Sequence, residues 1–367
     1  MRLLYLASIR LPTEKAHGIQ IMKTCEAFAE SGIETMLRVP EFLNSPSTQD
    51  PFAYYGVKKV FNIRRSFGVR LLQLGQIGFF LETLIFFIIV IFSGDFWLAD
   101  YIFSRDEFII FLSGMLGKKT IWETHTGSYN IFARASLNKS KLVVSISQGL
   151  KDFYISKGVP ESKVIVSPDG VDLKDFEISY SKGDVRSISG LPLGKKIVLY
   201  AGRLDGWKGV ETFFEASKYF NDDIIAVALG GDTNQINSFS KKYPNVHFLG
   251  YKPYKELPVY QKSADVLVIP NISKSDISRL YTSPLKVFSY MASGVPIVAS
   301  DLPSIREVLS EANSVLVKPD DPQALLDGIN GILEDKNMAD IISKQALIDV
   351  IKYSWTERVR SIISTIS

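Results

Sequence analysis

The chain has 367 residues, more than one hydrophobic core ordinarily serves, so two domains are expected. It is 46% hydrophobic with a formal net charge of +3, the balance of a folded protein and too small to imply a nucleic-acid partner. The single cysteine, Cys25, excludes an internal disulfide and fits a reducing, cytoplasmic setting.

Residues 2–8 read as a first core strand and not as a signal peptide, since Met1 runs straight into them with no h-region or cleavage site. The loop 9–18 leads into an amphipathic helix over 19–31, ended by Gly32. In a doubly wound sheet such a loop borders the ligand crevice, and Gly18 there is either a plain turn residue or a point of close backbone approach. The run 77–92 is apolar on every side apart from Glu82 and Thr83. It is short for a bilayer span, wants a cover on more than one face, and follows Lys58, Lys59, Arg64, Arg65 and Arg70. Three fates stay open: an interior core helix, contact with an anionic membrane surface, or a spanning helix.

Strands are expected at 100–105, 119–124, 141–145 and 163–166, and His125 follows the second of these. The stretch 173–196, rich in Ser, Gly and charge, marks a boundary. Domains are therefore placed at 1–172 and 173–354. In the second half, strands at 197–200, 224–230, 246–249, 266–269 and 295–300 alternate with helices at 209–219, 233–242 and 254–263. Helices over 321–333, 339–351 and 355–366 close the chain. This spacing means a parallel sheet with right-handed crossovers, so the fold class is α/β with two Rossmann-like, doubly wound domains.

Two basic stretches stand out. Ala201-Gly202-Arg203-Leu204-Asp205-Gly206-Trp207-Lys208-Gly209 joins a strand to a helix, which is the phosphate position of open α/β sheets. In Ser283-Pro284-Leu285-Lys286 the serine is placed to cap a helix, the proline to start it and Gly294 to end it. Lys286 then puts a cation in a first helical turn, where the macrodipole favours anions. It either snorkels to water or meets a bound anion. No Gly-x-Gly triplet occurs, which argues against a nicotinamide dehydrogenase, and no Gly-x-Ser-x-Gly elbow, which argues against a serine hydrolase.

These stretches resemble retaining glycosyltransferases of family 4. The resemblance rests on Gly202-Arg203-Leu204 with Lys208-Gly209, on Ser283-Pro284-Leu285-Lys286 and on Met291-Ala292-Ser293-Gly294-Val295-Pro296. It extends, in the family's order, to Val144-Ser145-Ile146-Ser147, Pro168-Asp169-Gly170-Val171-Asp172 with Phe176, Phe248-Leu249-Gly250-Tyr251 and Ala264-Asp265-Val266-Leu267-Val268-Ile269-Pro270, and is thinnest over 41–103. It implies the GT-B fold, two domains facing a central cleft, with the last helix (355–367) crossing back onto the first.

The resemblance also implies a nucleotide-diphosphate sugar donor, retention of configuration, and a glycan or lipid-linked acceptor. Arg203 would fork onto phosphate oxygens, Lys208 would act as a point charge and Lys286 would contact phosphate or sugar. Gly18 would let the backbone approach the diphosphate, and His125, in Trp122-Glu123-Thr124-His125, would face the transferred sugar unless it is a structural histidine. Gly202, Ser283, Pro284 and Leu285 complete the donor site, with Tyr251 and Asp232 on adjacent loops. Tyr281 and Ser289 occupy positions where many relatives carry glutamates; serine would weaken a ribose contact by about 1.5 to 3 kcal/mol. No Asp-x-Asp triplet occurs, so metal-independent transfer without a cofactor is expected. A cell-envelope role follows, at the cytoplasmic face of the inner membrane through Ile77 to Phe92. The alternative is a GT-B scaffold that has lost turnover and serves as a partner subunit in polysaccharide assembly.

Overall fold

The computed structural model describes residues 1–42 and 49–366. It divides into two compact units, Met1–Pro168 with Trp355–Ser367, and Asp169–Ser354. The division falls at Pro168/Asp169 and not at 172/173, because Val171 bridges Ser354 and donates its N–H to the Tyr353 carbonyl.

The first unit is built on β1 (Arg2–Leu6), β2 (Glu34–Phe42), β3 (Asn62–Gly68), β4 (Tyr101–Ser104), β5 (Lys119–Thr124), β6 (Leu142–Ser145) and β7 (Val164–Val166). They form a parallel seven-stranded sheet in the order β3-β2-β1-β4-β5-β6-β7. The order reverses between β1 and β4, so the loops leaving these two strands open the crevice where such sheets bind ligands. The helix expected at 19–31 is Ala16–Glu30, which brings His17 and Gly18 out of the expected loop and into the first helical turn. The final helix, Trp355–Ile366, packs on Ala16–Glu30 in this unit, and the Tyr101 hydroxyl donates to the Ile366 carbonyl.

The apolar run 77–92 forms the helix Gly75–Ile91. Phe86, Phe87 and Val90 enter the core with Leu4, Leu6, Phe96 and Ile102. Its other side stays open: Ile77 is 69% exposed and Phe92, just past its end, 85%. The helix is thus neither interior nor spanning. A sheet offers a covering helix one face only, and no helix among the described residues is long and apolar enough to cross a membrane. Of the upstream bases, Lys58, Lys59 and Arg64 form ion pairs with Glu30, Asp50 and Asp95.

The second unit carries β8 (Lys196–Ala201), β9 (Ile224–Leu229), β10 (Val246–Gly250), β11 (Val266–Ile269), β12 (Ile297–Ser300) and β13 (Val315–Val317). They form a parallel six-stranded sheet in the order β10-β9-β8-β11-β12-β13. Here the reversal lies between β8 and β11. Apolar clusters cover both faces, one around Leu199, Leu267 and Tyr290, the other around Val198, Phe214 and Ile329. The boundary stretch 173–196 holds a helix that was not expected, Lys182–Ser189, closed by a Ser181/Asp184 capping box and by Gly190 at φ 69°.

Candidate functional site

In the second unit Gly202, Arg203 and Lys208 lie on the loop leaving β8, at the sheet reversal, and in the first unit His125 follows β5, one strand beyond the reversal. In the second unit β8 ends at Ala201, whose N–H donates to the Tyr290 hydroxyl at 2.7 Å. That bond ties the strand to the helix Leu285–Ser293. The loop that follows is fixed by the Tyr200 hydroxyl, which donates to the Arg203 carbonyl at 2.7 Å, and by the buried Leu204. Gly209 adopts φ 68°, and a Cβ there would lie 1.8 Å from the Pro270 carbonyl oxygen. Only glycine lets the loops leaving β8 and β11 touch in this way.

Lys286 reaches into this corner. Its Nζ sits 4.2 Å from the Tyr200 ring centroid, is buried, and makes no hydrogen bond among the described residues. Burial, reinforced by the Lys208 charge, holds its pKa well below the usual lysine value. Burial also lowers the pKa of Lys208, opposed by Asp205 and reinforced by Arg203. Arg203 Nε is 3.1 Å from Asp205 Oδ2, and its side chain is 60% exposed. The structure therefore places Lys208 within electrostatic reach of both Arg203 and Lys286, with Asp205 the acidic neighbour of Arg203 and Lys208.

The cap of the Lys286 helix differs from expectation. Pro284 occupies the N-cap position and no side chain caps the first turn. The Ser283 hydroxyl accepts instead from the Asp169 N–H at 3.1 Å. Gly294 ends the helix at φ 69° as expected, and Leu285 and Lys286 lie in the uncapped first turn, where backbone N–H groups favour an anion. Ser289 is buried; its hydroxyl donates to the Lys286 carbonyl and accepts from Gln261 Nε2 at 3.1 Å, so it faces the fold. Tyr281 ends the turn Ile277–Tyr281, Tyr251 follows β10 with an exposed ring, and Gly202 leaves β8 at φ 147°. Asp232 is used as a cap for the helix Thr233–Lys242. Tyr200 and Tyr290, which fix this corner, lie in apolar runs that gave no separate signal.

In the first unit His125 follows β5 on a loop held by Tyr154, whose hydroxyl donates to the Thr126 and Ser128 carbonyls. His125 Nε2 is 2.6 Å from Glu123 Oε1. Glu123 is fully buried and also accepts from Gln20 Nε2 and Arg358 Nη2, each at 2.6 Å. Burial alone would raise the Glu123 pKa, but Arg358, His125 and Arg105 outweigh it and hold the carboxyl below the usual carboxylate range. Burial and Arg105 lower the His125 pKa to about 4, against the pull of Glu123. Gly18 lies beside the same crevice, but the space a side chain would take is filled by the Tyr55 hydroxyl, 2.1 Å from a built Cβ. Among the described residues no group of three His, Cys, Asp or Glu side chains is placed to hold a metal ion.

The fold is thus two Rossmann-like domains, the second with basic side chains on the loop leaving β8 at its sheet reversal. Residues 181–348 match the family Glycosyl transferases group 1. An uncharacterized glycosyltransferase of Methanocaldococcus jannaschii is 28% identical over 233 residues, 60% of this chain and 58% of that protein. The N,N'-diacetylbacillosaminyl-diphospho-undecaprenol alpha-1,3-N-acetylgalactosaminyltransferase of Campylobacter jejuni is 25% identical over 232 residues, 61% of this chain and 59% of that protein. The match thus spans less than two thirds of the length of these relatives. HepE from Anabaena, solved in complex with UDP-glucose, superposes with a TM-score of 0.77 at 16% identity, covering 100% of this chain and 99% of that one. The architecture is that of GT-B glycosyltransferases.

Proposed function

We propose that the chain is a retaining, metal-independent glycosyltransferase that moves a sugar from a nucleotide-diphosphate donor to a glycan or lipid-linked acceptor. The buried Lys286 ammonium, over the Tyr200 ring and with no hydrogen-bond partner among the described residues, carries this reading. Such a group costs several kcal/mol unless an anion completes it, and Lys208, Arg203 and an uncapped helix terminus lie beside it. A pyrophosphate supplies the missing charge. The UDP-glucose complex of HepE and the diphospho-undecaprenol in the name of the Campylobacter relative support a nucleotide-sugar donor and a lipid-linked acceptor.

The reaction breaks the bond between the anomeric carbon and the leaving phosphate oxygen, through a state with oxocarbenium character. The acceptor hydroxyl oxygen bonds that carbon on the face being vacated and gives its proton to the departing phosphate oxygen. Fixed cations at the phosphate stabilise the charge that develops there, a role otherwise filled by a metal. The intact cation group favours turnover over a scaffold without activity. The exposed side of Gly75–Ile91 would rest on the cytoplasmic face of the inner membrane, near a lipid-linked acceptor.

Titrating the protein with UDP, GDP and their sugar conjugates, and following turnover with and without chelator, tests this. Binding and turnover should survive chelation, and fall by about 10- to 100-fold in Arg203→Ala, as for loss of a charged hydrogen bond. Equal turnover in wild type and Arg203→Ala would sink the reading. The anomeric configuration of the first-formed product, read by NMR, decides retention.

A further inference from the structure

The buried carboxylate of Glu123 is absorbed by nothing in the donor-phosphate chemistry, although three side chains converge on it. Its Oε1 accepts from Gln20 and lies 2.6 Å from His125 Nε2, and its Oε2 accepts from Arg358. Arg358 is buried in turn. It donates to the Pro168 carbonyl at 2.9 Å and approaches Thr24 Oγ1 at 3.4 Å. Arg105 stands 3.9 Å from Glu123 Oε1 and donates to Gln20 Oε1 at 3.1 Å. Tyr5 and Cys25 are the other titratable groups facing the carboxylate, and burial raises the pKa of both, so both stay neutral at pH 7.

A carboxylate accompanied by two guanidinium groups stays ionised, and an ionised carboxylate can only accept hydrogen bonds. The proton between Glu123 and His125 therefore belongs to Nε2. With the ring neutral, Nδ1 must be the bare, accepting nitrogen. The His125 side chain is 17% exposed, and Nδ1 has no partner among the described residues. A neutral ring presenting only a lone pair cannot donate to a phosphate, but it can accept from a hydroxyl.

We propose that Glu123 is a positioning residue that locks His125 in its Nε2–H tautomer, so that Nδ1 accepts a hydrogen bond from a hydroxyl of the transferred sugar. Arg358, carried in by the C-terminal helix, keeps Glu123 ionised. The sugar-facing half rests on the glycosyltransferase reading; the tautomer does not.

The chain has three histidines, so ¹⁵N-histidine labelling of the full protein, with His125→Gln for assignment, reads this ring directly. At pH 7 the wild type should show Nε2 protonated and Nδ1 bare. The double variant Glu123→Met/Arg358→Met removes the acceptor together with its counter-charge, which keeps an unpaired buried ion from unfolding the unit. It should show a tautomer mixture, as Glu123→Gln should to a lesser degree. UDP affinity, set in the other unit, should stay within about twofold of wild type, while kcat falls roughly 10-fold or more with little change in KM, the pattern of lost orientation. Adding a member of a panel of UDP-glucose, UDP-galactose, UDP-N-acetylglucosamine and GDP-mannose should shift the Nδ1 resonance without protonating it, and UDP alone should not. A wild-type ring protonated at Nδ1, or a double variant with the wild-type tautomer, overturns the positioning role. A panel with no effect on Nδ1 overturns the sugar contact. Failure of every nucleotide sugar to turn over defeats the transferase reading while the tautomer result stands.

Discussion

Under the proposed function, Lys286 trades stability for binding. Its ammonium lies over Tyr200, buried and without a hydrogen bond among the described residues, and an uncompensated buried charge is among the more costly features a fold can carry. Lys286→Met should therefore raise the melting temperature of the unliganded protein by a few degrees and weaken UDP by roughly 10- to 100-fold, the worth of a charged hydrogen bond. An unchanged UDP affinity would show that this lysine binds nothing. Because burial and Lys208 lower its pKa, and an anion favours the charged form, UDP binding should take up protons. Affinity then falls as pH rises above the depressed pKa of the free protein, which calorimetry in buffers of different ionisation enthalpy measures directly.

Two elements set the geometry in which such residues act. The loop leaving β8 can approach the loop leaving β11 only because residue 209 lacks a side chain; the built Cβ overlaps the Pro270 carbonyl, and φ is positive. Gly209→Ala should cost about 2 kcal/mol or more in a denaturant titration and weaken UDP as well, since Lys208 is the neighbouring residue. The second element is Gly75–Ile91. Its core face is held by Phe86, Phe87 and Val90, while Ile77 and Phe92, with Trp97 shortly after, remain open to solvent. The wild type should sediment with vesicles containing anionic phospholipid. Ile77→Glu/Phe92→Glu should not, at unchanged melting temperature, because neither side chain belongs to the core. With several upstream bases engaged in ion pairs, binding should depend more on apolar contact than on salt. Elimination by moderate salt would reverse that ranking.

For the molecule as a whole, acid stability follows from groups in the first unit. His17 and His125 both have pKa values lowered to about 4, in each case chiefly by burial with Arg105 second. The unfolded chain therefore binds more protons than the folded one between pH 6.5 and about 4, and stability is lost as pH falls through that window. Asp106 opposes this below pH 6, because burial raises its carboxyl to about 6. The net is about one proton per molecule between pH 6 and 4.5, or roughly 1.4 kcal/mol per pH unit. Chemical denaturation between pH 7 and 4.5 should show this slope for wild type and a shallower one for His17→Gln. Identical slopes would remove His17 from the account.

What the sequence determined by itself was set by local chemistry. β-then-α alternation, strand-end glycines and the spacing of Arg203, Lys208 and Lys286 were legible because backbone propensity and the helix dipole act over a few residues. The helix Lys182–Ser189 was missed, because the Ser, Gly and charge around it outweighed the Ser181/Asp184 capping pair. Which face of Gly75–Ile91 would be buried could not be read, since a run apolar on all sides carries no period to break the tie. Nor could the partners of Glu123: Gln20 is 103 residues away and Arg358 is 235. Only folding brings a helix after β1, the end of β5 and the last helix of the chain to one carboxylate. The guanidinium groups gathered there outweigh its desolvation and keep it charged, and through it set the face that His125 turns outward.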